Sequence, residues 1–207
     1  MFLDREDAAA QLMEHLQDYW QHTGIVLALP RGGVPVGRYI ADHLQWPLDV
    51  VVVKKIGHPL NPEYAVGAVS LKGYAVNKHL NLPQDYIAEE VNRLNEVIRE
   101  KYKLYTGSYE PVEVSGKIVL LVDDGMATGS TVLGAIDLLR KQNPREIVVA
   151  VPVASTEAYR KVARKADKVI CLSTPEDFQA VGQYYRDFSE VTDEEVIALL
   201  QRNGYNS

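Results

Sequence analysis

Two textures alternate along the chain. Short apolar runs, "GIVLALP", "PLDVVVVKK", 117–122, 146–153 and 168–172, have the length and enrichment of buried strands. Between them lie "VGRYIADHL", 130–142 and 155–165, whose apolar positions recur at helical spacing. At the start, Asp4 followed by Asp7 predicts a capped helix, with Leu12, Leu16 and Tyr19 on one apolar face. Strand, helix and parallel strand repeat, which predicts an α/β fold: a mostly parallel central sheet flanked by helices.

Two segments break the rhythm. Residues 54–83 carry Pro59, Pro62 and Pro83 and a hairpin pattern, "YAVGAVS-LKG-YAVN"; a long charged helix from Gln84 to Tyr105 follows. The last stretch begins "STPEDFQAVGQYYRDF" and closes with a short helix near Asp193 to Arg202. The expected organisation is one domain over 1–207. Its core spans about 22–173, a mobile cover about 54–83, and a hood-like tail about 174–207.

Composition changes this picture little. With 207 residues, 46% hydrophobic and 24% charged, the chain can bury a core without disulfide or metal staples. A formal charge of −6 offers no global attraction to nucleic acid, and no apolar run reaches membrane-spanning length. "MFLDREDAAA" lacks the pattern of a signal peptide, so a cytoplasmic protein is expected. Cys171, the single cysteine, reads as a packed thiol in a buried strand. The five histidines show no metal-ligand spacing, and Ser130 lacks a hydrolase elbow. Arg93, Arg99, Lys101 and Lys103 alternate with glutamates, as on a solvated helix face.

The chemistry gathers where strands end. In open parallel sheets ligands collect beyond the carboxyl ends of the strands. Three polar clusters fall there: Pro30-Arg-Gly-Gly33, Lys54-Lys55 and Asp123 to Thr131. In the third, "VLLVDDGMATGST", glycines and hydroxyls between a strand and a helix form a phosphate cup. It is not a Walker loop, because the lysine is missing and the glycine spacing differs. The adjacent Asp123 and Asp124 would repel a simple anion. They suit a ligand carrying a vicinal diol beside its phosphate, as ribose 5-phosphate does.

That stretch resembles the binding motif of type I phosphoribosyltransferases, and "LPRGGVPVG" occupies the place of their pyrophosphate loop. With "KKIGHPLNPEYAVGAVS", the resemblance runs to a bacterial branch whose members carry no named acceptor. It implies a Mg²⁺-dependent enzyme that moves the phosphoribosyl group of 5-phosphoribosyl 1-pyrophosphate to a nitrogen acceptor, with release of pyrophosphate. Asp123 and Asp124 would hold the diol and the metal. Ala127, Thr128, Gly129, Ser130 and Thr131 would take the 5-phosphate, with Gly125 and Met126 counted among the substrate-binding positions beside them. Arg31, Gly32, Gly33 and Lys54 would hold pyrophosphate, Arg31 with a catalytic role alongside the two aspartates. Phe178, Tyr184 and Tyr185 in the hood are candidate stacking faces for a base, and Glu63 and Tyr64 candidate ligand contacts. The expected partners are the donor, a small acceptor and a second copy of the chain in a homodimer, with neither membrane nor nucleic acid. Where hypoxanthine- and guanine-using members place an aspartate before Thr-Gly, this chain has Ala127, so the acceptor does not come with the resemblance. Two other functions stay open: a non-catalytic sensor of the donor or a nucleotide, and a hydrolase or phosphorylase acting on a phosphoribosyl compound.

Overall fold

The computed structural model describes residues 1–201, apart from the side chains of Glu63 and Lys78. Five parallel strands form the central sheet: β1 (Gly24–Ala28), β2 (Leu48–Val50), β6 (Ile118–Val122), β7 (Glu146–Val153) and β8 (Lys168–Ser173). Their order is β2-β1-β6-β7-β8. The order reverses between β1 and β6, so the loops leaving their carboxyl ends open into one crevice.

The helices are α1 (Arg5–Met13), α2 (Gly33–Leu44), α3 (Gln84–Thr106), α4 (Ser130–Arg140), α5 (Thr156–Ala163) and α6 (Asp193–Gln201). Arg202, the expected end of α6, lies outside the described residues. Alternation along the strands sorts side chains to the two sheet faces. Ile118, Leu120 and Val122 join a cluster with Leu12, Ile40 and Ile98 from α1, α2 and α3. Val119 and Leu121 face the other way, against Ile136 of α4 and Val162 of α5. Because both faces are covered, β6 is buried along its whole length, which is why it reads as an unbroken apolar run.

The second strand is shorter than expected. It stops at Val50, and Lys54 opens a separate antiparallel sheet of β3 (Lys54–His58), β4 (Asn61–Ser70) and β5 (Gly73–Val76). The expected hairpin is therefore present as β4–β5, with β3 added on its other side. This sheet lies on α4: a side chain at Gly134 would meet Ala68 Cβ at 2.9 Å. At the N-terminus, Asp4 caps α1 by accepting from Asp7 N–H at 2.9 Å. The helix ends at Met13, and Leu16 and Tyr19 bury their side chains from the turn beyond it.

Cys171 sits in the edge strand β8, half-buried rather than enclosed. Its thiol donates to Ser173 O at 3.2 Å, and burial pushes its pKa up to about 11. It is a poorly nucleophilic packing group. His43 is exposed and its ring stacks on Tyr39, and His15 is exposed just after α1. No helix among the described residues is long and apolar enough to cross a membrane.

Candidate functional site

The loops after β1 and β6 touch. A side chain at Gly32 would overlap the Asp124 carboxylate, and one at Gly33 would meet Val122 O at 2.7 Å and Asp123 Cα at 3.0 Å. The two glycines thus let the Pro30–Gly33 loop press against the acidic pair. Gly33 N–H donates to Leu29 O at 3.0 Å, so this amide serves the turn into α2. The Pro30–Arg31 peptide is cis.

Asp123 and Asp124 do not share one environment. Asp123 accepts from Asp124 N–H through Oδ1 at 2.9 Å and is the more open of the two. Asp124 is 9% exposed, and its Oδ2 accepts from Arg5 Nε at 2.8 Å. Arg5 is itself fixed by Ser189 O at 2.8 Å and by the face of Phe188, 4.1 Å from its ring centroid. Burial pushes both carboxyls up from the usual range. The neighbouring Asp124 charge adds to the rise at Asp123, while the Arg5 guanidinium opposes it at Asp124.

Beyond the pair, the loop turns into α4. Gly129 takes φ 70°, a left-handed conformation suited to glycine, and caps the helix. Thr128 and Ser130 hydroxyls lie 2.9 Å apart, and Ser155 Oγ steadies Ala127 O at 2.7 Å. Ala127, Thr128 and Thr131 are exposed. Met126 is different from its neighbours. It is 2% exposed, and its N–H donates to Val153 O at 2.9 Å, extending the sheet beside β7. That amide is spent on the fold and cannot join a phosphate cup. Gly125 is required by packing, since a side chain there would meet Val181 of the tail at 2.5 Å.

Arg31, Lys54 and Thr131 line one cavity of about 340 Å³, which brings the three strand-end clusters together. Lys54 reaches it from the first residue of β3 rather than from a loop. Lys101 and Tyr105 of α3 complete the wall. Contrary to the expectation that Lys101 is one charge of a solvated face, it turns inward. Helical spacing places it one turn from Tyr105, but only the tertiary fold aims it at this cavity. Arg31 pairs with Glu190 and stands 3.8 Å from Asp193 Oδ1.

The tail aromatics separate into two roles. Phe178 and Tyr184 stack on each other at 5.6 Å. Tyr185 is 5% exposed between Phe2 and Phe188, with ring centroids 5.3 and 5.0 Å away. Its hydroxyl donates to Asp124 O at 2.7 Å. Contrary to the expectation of a stacking face, its ring is covered and it braces the acidic pair from behind. Tyr64 is half-exposed on β4, and the Glu63 side chain lies outside the described residues.

Comparison with known proteins identifies the family. A family model described as "Phosphoribosyl transferase domain" matches residues 2–189. Two Mycobacterium tuberculosis strains carry proteins named "Putative phosphoribosyl transferase", each 40% identical over 98% of this chain. The alignment takes in 47% of each, so the chain spans about half the length of these curated relatives. The crystal structure of TT1426 from Thermus thermophilus superposes with a TM-score of 0.89 at 42% identity, covering 97% of both chains. A purine phosphoribosyltransferase from Pyrococcus horikoshii shares the fold, with a TM-score of 0.51 at 18% identity over 93% of this chain and 97% of its own. The chain belongs to the phosphoribosyl transferase domain family.

Proposed function

We propose that the protein transfers the phosphoribosyl group of 5-phosphoribosyl 1-pyrophosphate to a nitrogen acceptor in the cytoplasm. The observation that carries this reading is the meeting of three chemistries at the carboxyl end of the parallel sheet. These are a carboxylate pair against Gly32 and Gly33, a hydroxyl-rich loop entering α4, and a cavity with Arg31, Lys54 and Thr131 in its wall. A simple phosphate site would not need the acids, and a simple sugar site would not need the cations.

In this reading Asp123 and Asp124 accept from the ribose diol, with Asp123 the more accessible. Thr128 to Thr131 take the 5-phosphate at the positive end of α4. Arg31 and Lys54 hold the pyrophosphate and stabilise its charge as the bond to the anomeric carbon breaks. The acceptor nitrogen attacks that carbon, so no enzyme nucleophile is required. The β3–β5 sheet is the candidate cover that keeps water, a competing acceptor, away.

Mg²⁺ fits this site as an ion that arrives with the donor. Among the described residues no group of three or more His, Cys, Asp or Glu could hold it, and Asp124 is already tied to Arg5. One or two carboxylates completed by ligand phosphates is the usual Mg²⁺ arrangement. When bound, the ion would neutralise charge on the departing pyrophosphate.

Calorimetry with 5-phosphoribosyl 1-pyrophosphate and Mg²⁺ tests the reading. The native protein should bind, and an Asp123→Asn/Asp124→Asn variant should bind far more weakly. Equal binding by the two proteins would refute it. Pyrophosphate release, screened against purines, pyrimidines and small amines, then identifies the acceptor. Tight donor binding with no release would favour the sensor instead.

A further inference from the structure

Asp193 stands where three groups of the cavity wall converge. Its Oδ2 accepts from Lys101 Nζ at 2.6 Å, its Oδ1 from Tyr105 OH at 2.8 Å, and Arg31 lies 3.8 Å from Oδ1. Arg31 also pairs with Glu190, three residues earlier in the same segment. Arg31, Lys101 and Tyr105 all line the same cavity of about 340 Å³. The tail thus presents carboxylates to the cations of the proposed pyrophosphate site, in the way an anionic ligand would.

Asp193 is not needed to start its own helix. Thr192 and Glu195 cap α6 reciprocally, Thr192 N–H donating to Glu195 Oε2 at 2.7 Å and Glu195 N–H to Thr192 Oγ1 at 3.2 Å. Neither is the position explained by core packing, since its side chain is 28% exposed. What remains distinctive about Asp193 is the company it keeps.

The geometry points to Lys101 as a further ligand-binding cation for the pyrophosphate group, held in the free protein by Asp193 as an internal stand-in for that anion. On ligand entry Lys101 exchanges the carboxylate for a phosphate oxygen, as Arg31 exchanges Glu190. No covalent bond changes. Each cation keeps an anionic partner throughout, so the cavity is pre-formed and the tail competes with the ligand for it. A lysine donates to phosphate as a compact charge and can switch partners by rotating its stem. This inference rests on the phosphoribosyl reading above and adds a residue from α3 that the strand-end loops do not contain.

Two single variants and two probes test it by calorimetry. Inorganic pyrophosphate with Mg²⁺ reports on the cation cavity, and ribose 5-phosphate on the loop before α4. Asp193→Asn should tighten pyrophosphate binding several-fold, because the competing charge is gone. Lys101→Met should weaken it about tenfold, the scale of one charge-assisted hydrogen bond. Ribose 5-phosphate binding should stay within about twofold in both variants, as for substitutions away from a binding group. A merely structural ion pair would not move pyrophosphate affinity in opposite directions. Pyrophosphate affinity unchanged in both variants, or shifted the same way in both, overturns the inference while leaving the phosphoribosyl reading standing. Native protein that binds neither probe overturns both.

Discussion

Arg5 Nε and Asp124 Oδ2 meet at 2.8 Å across 119 residues of chain, with both side chains largely buried. One member of the acidic pair is therefore neutralised from within the protein. This lets two adjacent carboxylates stand together at a buried strand end, where mutual repulsion would otherwise oppose them.

Arg5→Met should be costly, because it leaves the Asp124 charge buried without its partner. A loss of about 3–5 kcal/mol is expected from removing one side of such a pair. Arg5→Lys should recover part of it, since the charge returns without the guanidinium's stacking on Phe188. Urea unfolding of the three proteins at equal pH gives the ranking.

Gly32→Ala probes the contact between the two loops. Its new Cβ would overlap the Asp124 carboxylate, so either the loop or the acid must move. Displacement of about 1 Å in such a site costs on the order of 100-fold in function. Donor affinity should fall on that scale while far-UV circular dichroism stays native. Undiminished affinity would show that the loops need not touch.

Tyr185→Phe separates bracing from stacking. The variant keeps an aromatic ring but leaves Asp124 O without its hydroxyl donor, a loss expected to cost about 1–3 kcal/mol. Thermal unfolding should register this. A Tyr185 that acted only by stacking would tolerate the change.

Tyr102→Phe should destabilise in a pH-dependent way. Asp49 is buried and accepts from Tyr102 OH at 2.7 Å, Val112 N–H at 3.0 Å and Val50 N–H at 2.7 Å. Burial outweighs these bonds, so its folded-state pKa lies above the ordinary 3.8. A carboxyl shifted upward contributes stability that is complete below its unfolded pKa and is lost as pH rises through the folded one. Removing the Tyr102 donor raises the folded pKa further. The penalty should therefore be smaller at about pH 4 than at pH 7, where about 1.5–3 kcal/mol is expected. Urea midpoints across that range would show the slope, and a penalty independent of pH would contradict it.

What can be read from the sequence is local. β6 announces itself because burial on both faces leaves no polar position in 118–122. The loop after it is legible because glycine, hydroxyl and carboxylate side chains there answer to a few adjacent positions. Arg5 is not, since nothing near "DREDAAA" signals a partner at Asp124. Lys101 is hidden in a helix whose charges alternate regularly, and only packing distinguishes its direction from that of Lys103. Tyr185 misleads because a tyrosine in the tail carries no sign of whether Phe2 will cover it. The brief β2 runs into β3 on paper because "VVVVKK" contains no turn residue where one sheet ends and the next begins.

Phe2 N–H donates to Tyr184 O at 2.7 Å, and Arg186 N–H returns a bond to Phe2 O at 2.9 Å. Leu3 O takes Asp187 N–H at 2.9 Å, and Arg5 follows two positions on. The first residues are thus stitched into the tail that backs the acidic pair. A disturbance at Phe2 would therefore be felt at Asp124 from two sides, through Arg5 three positions along the chain and through the Tyr185 ring that Phe2 covers.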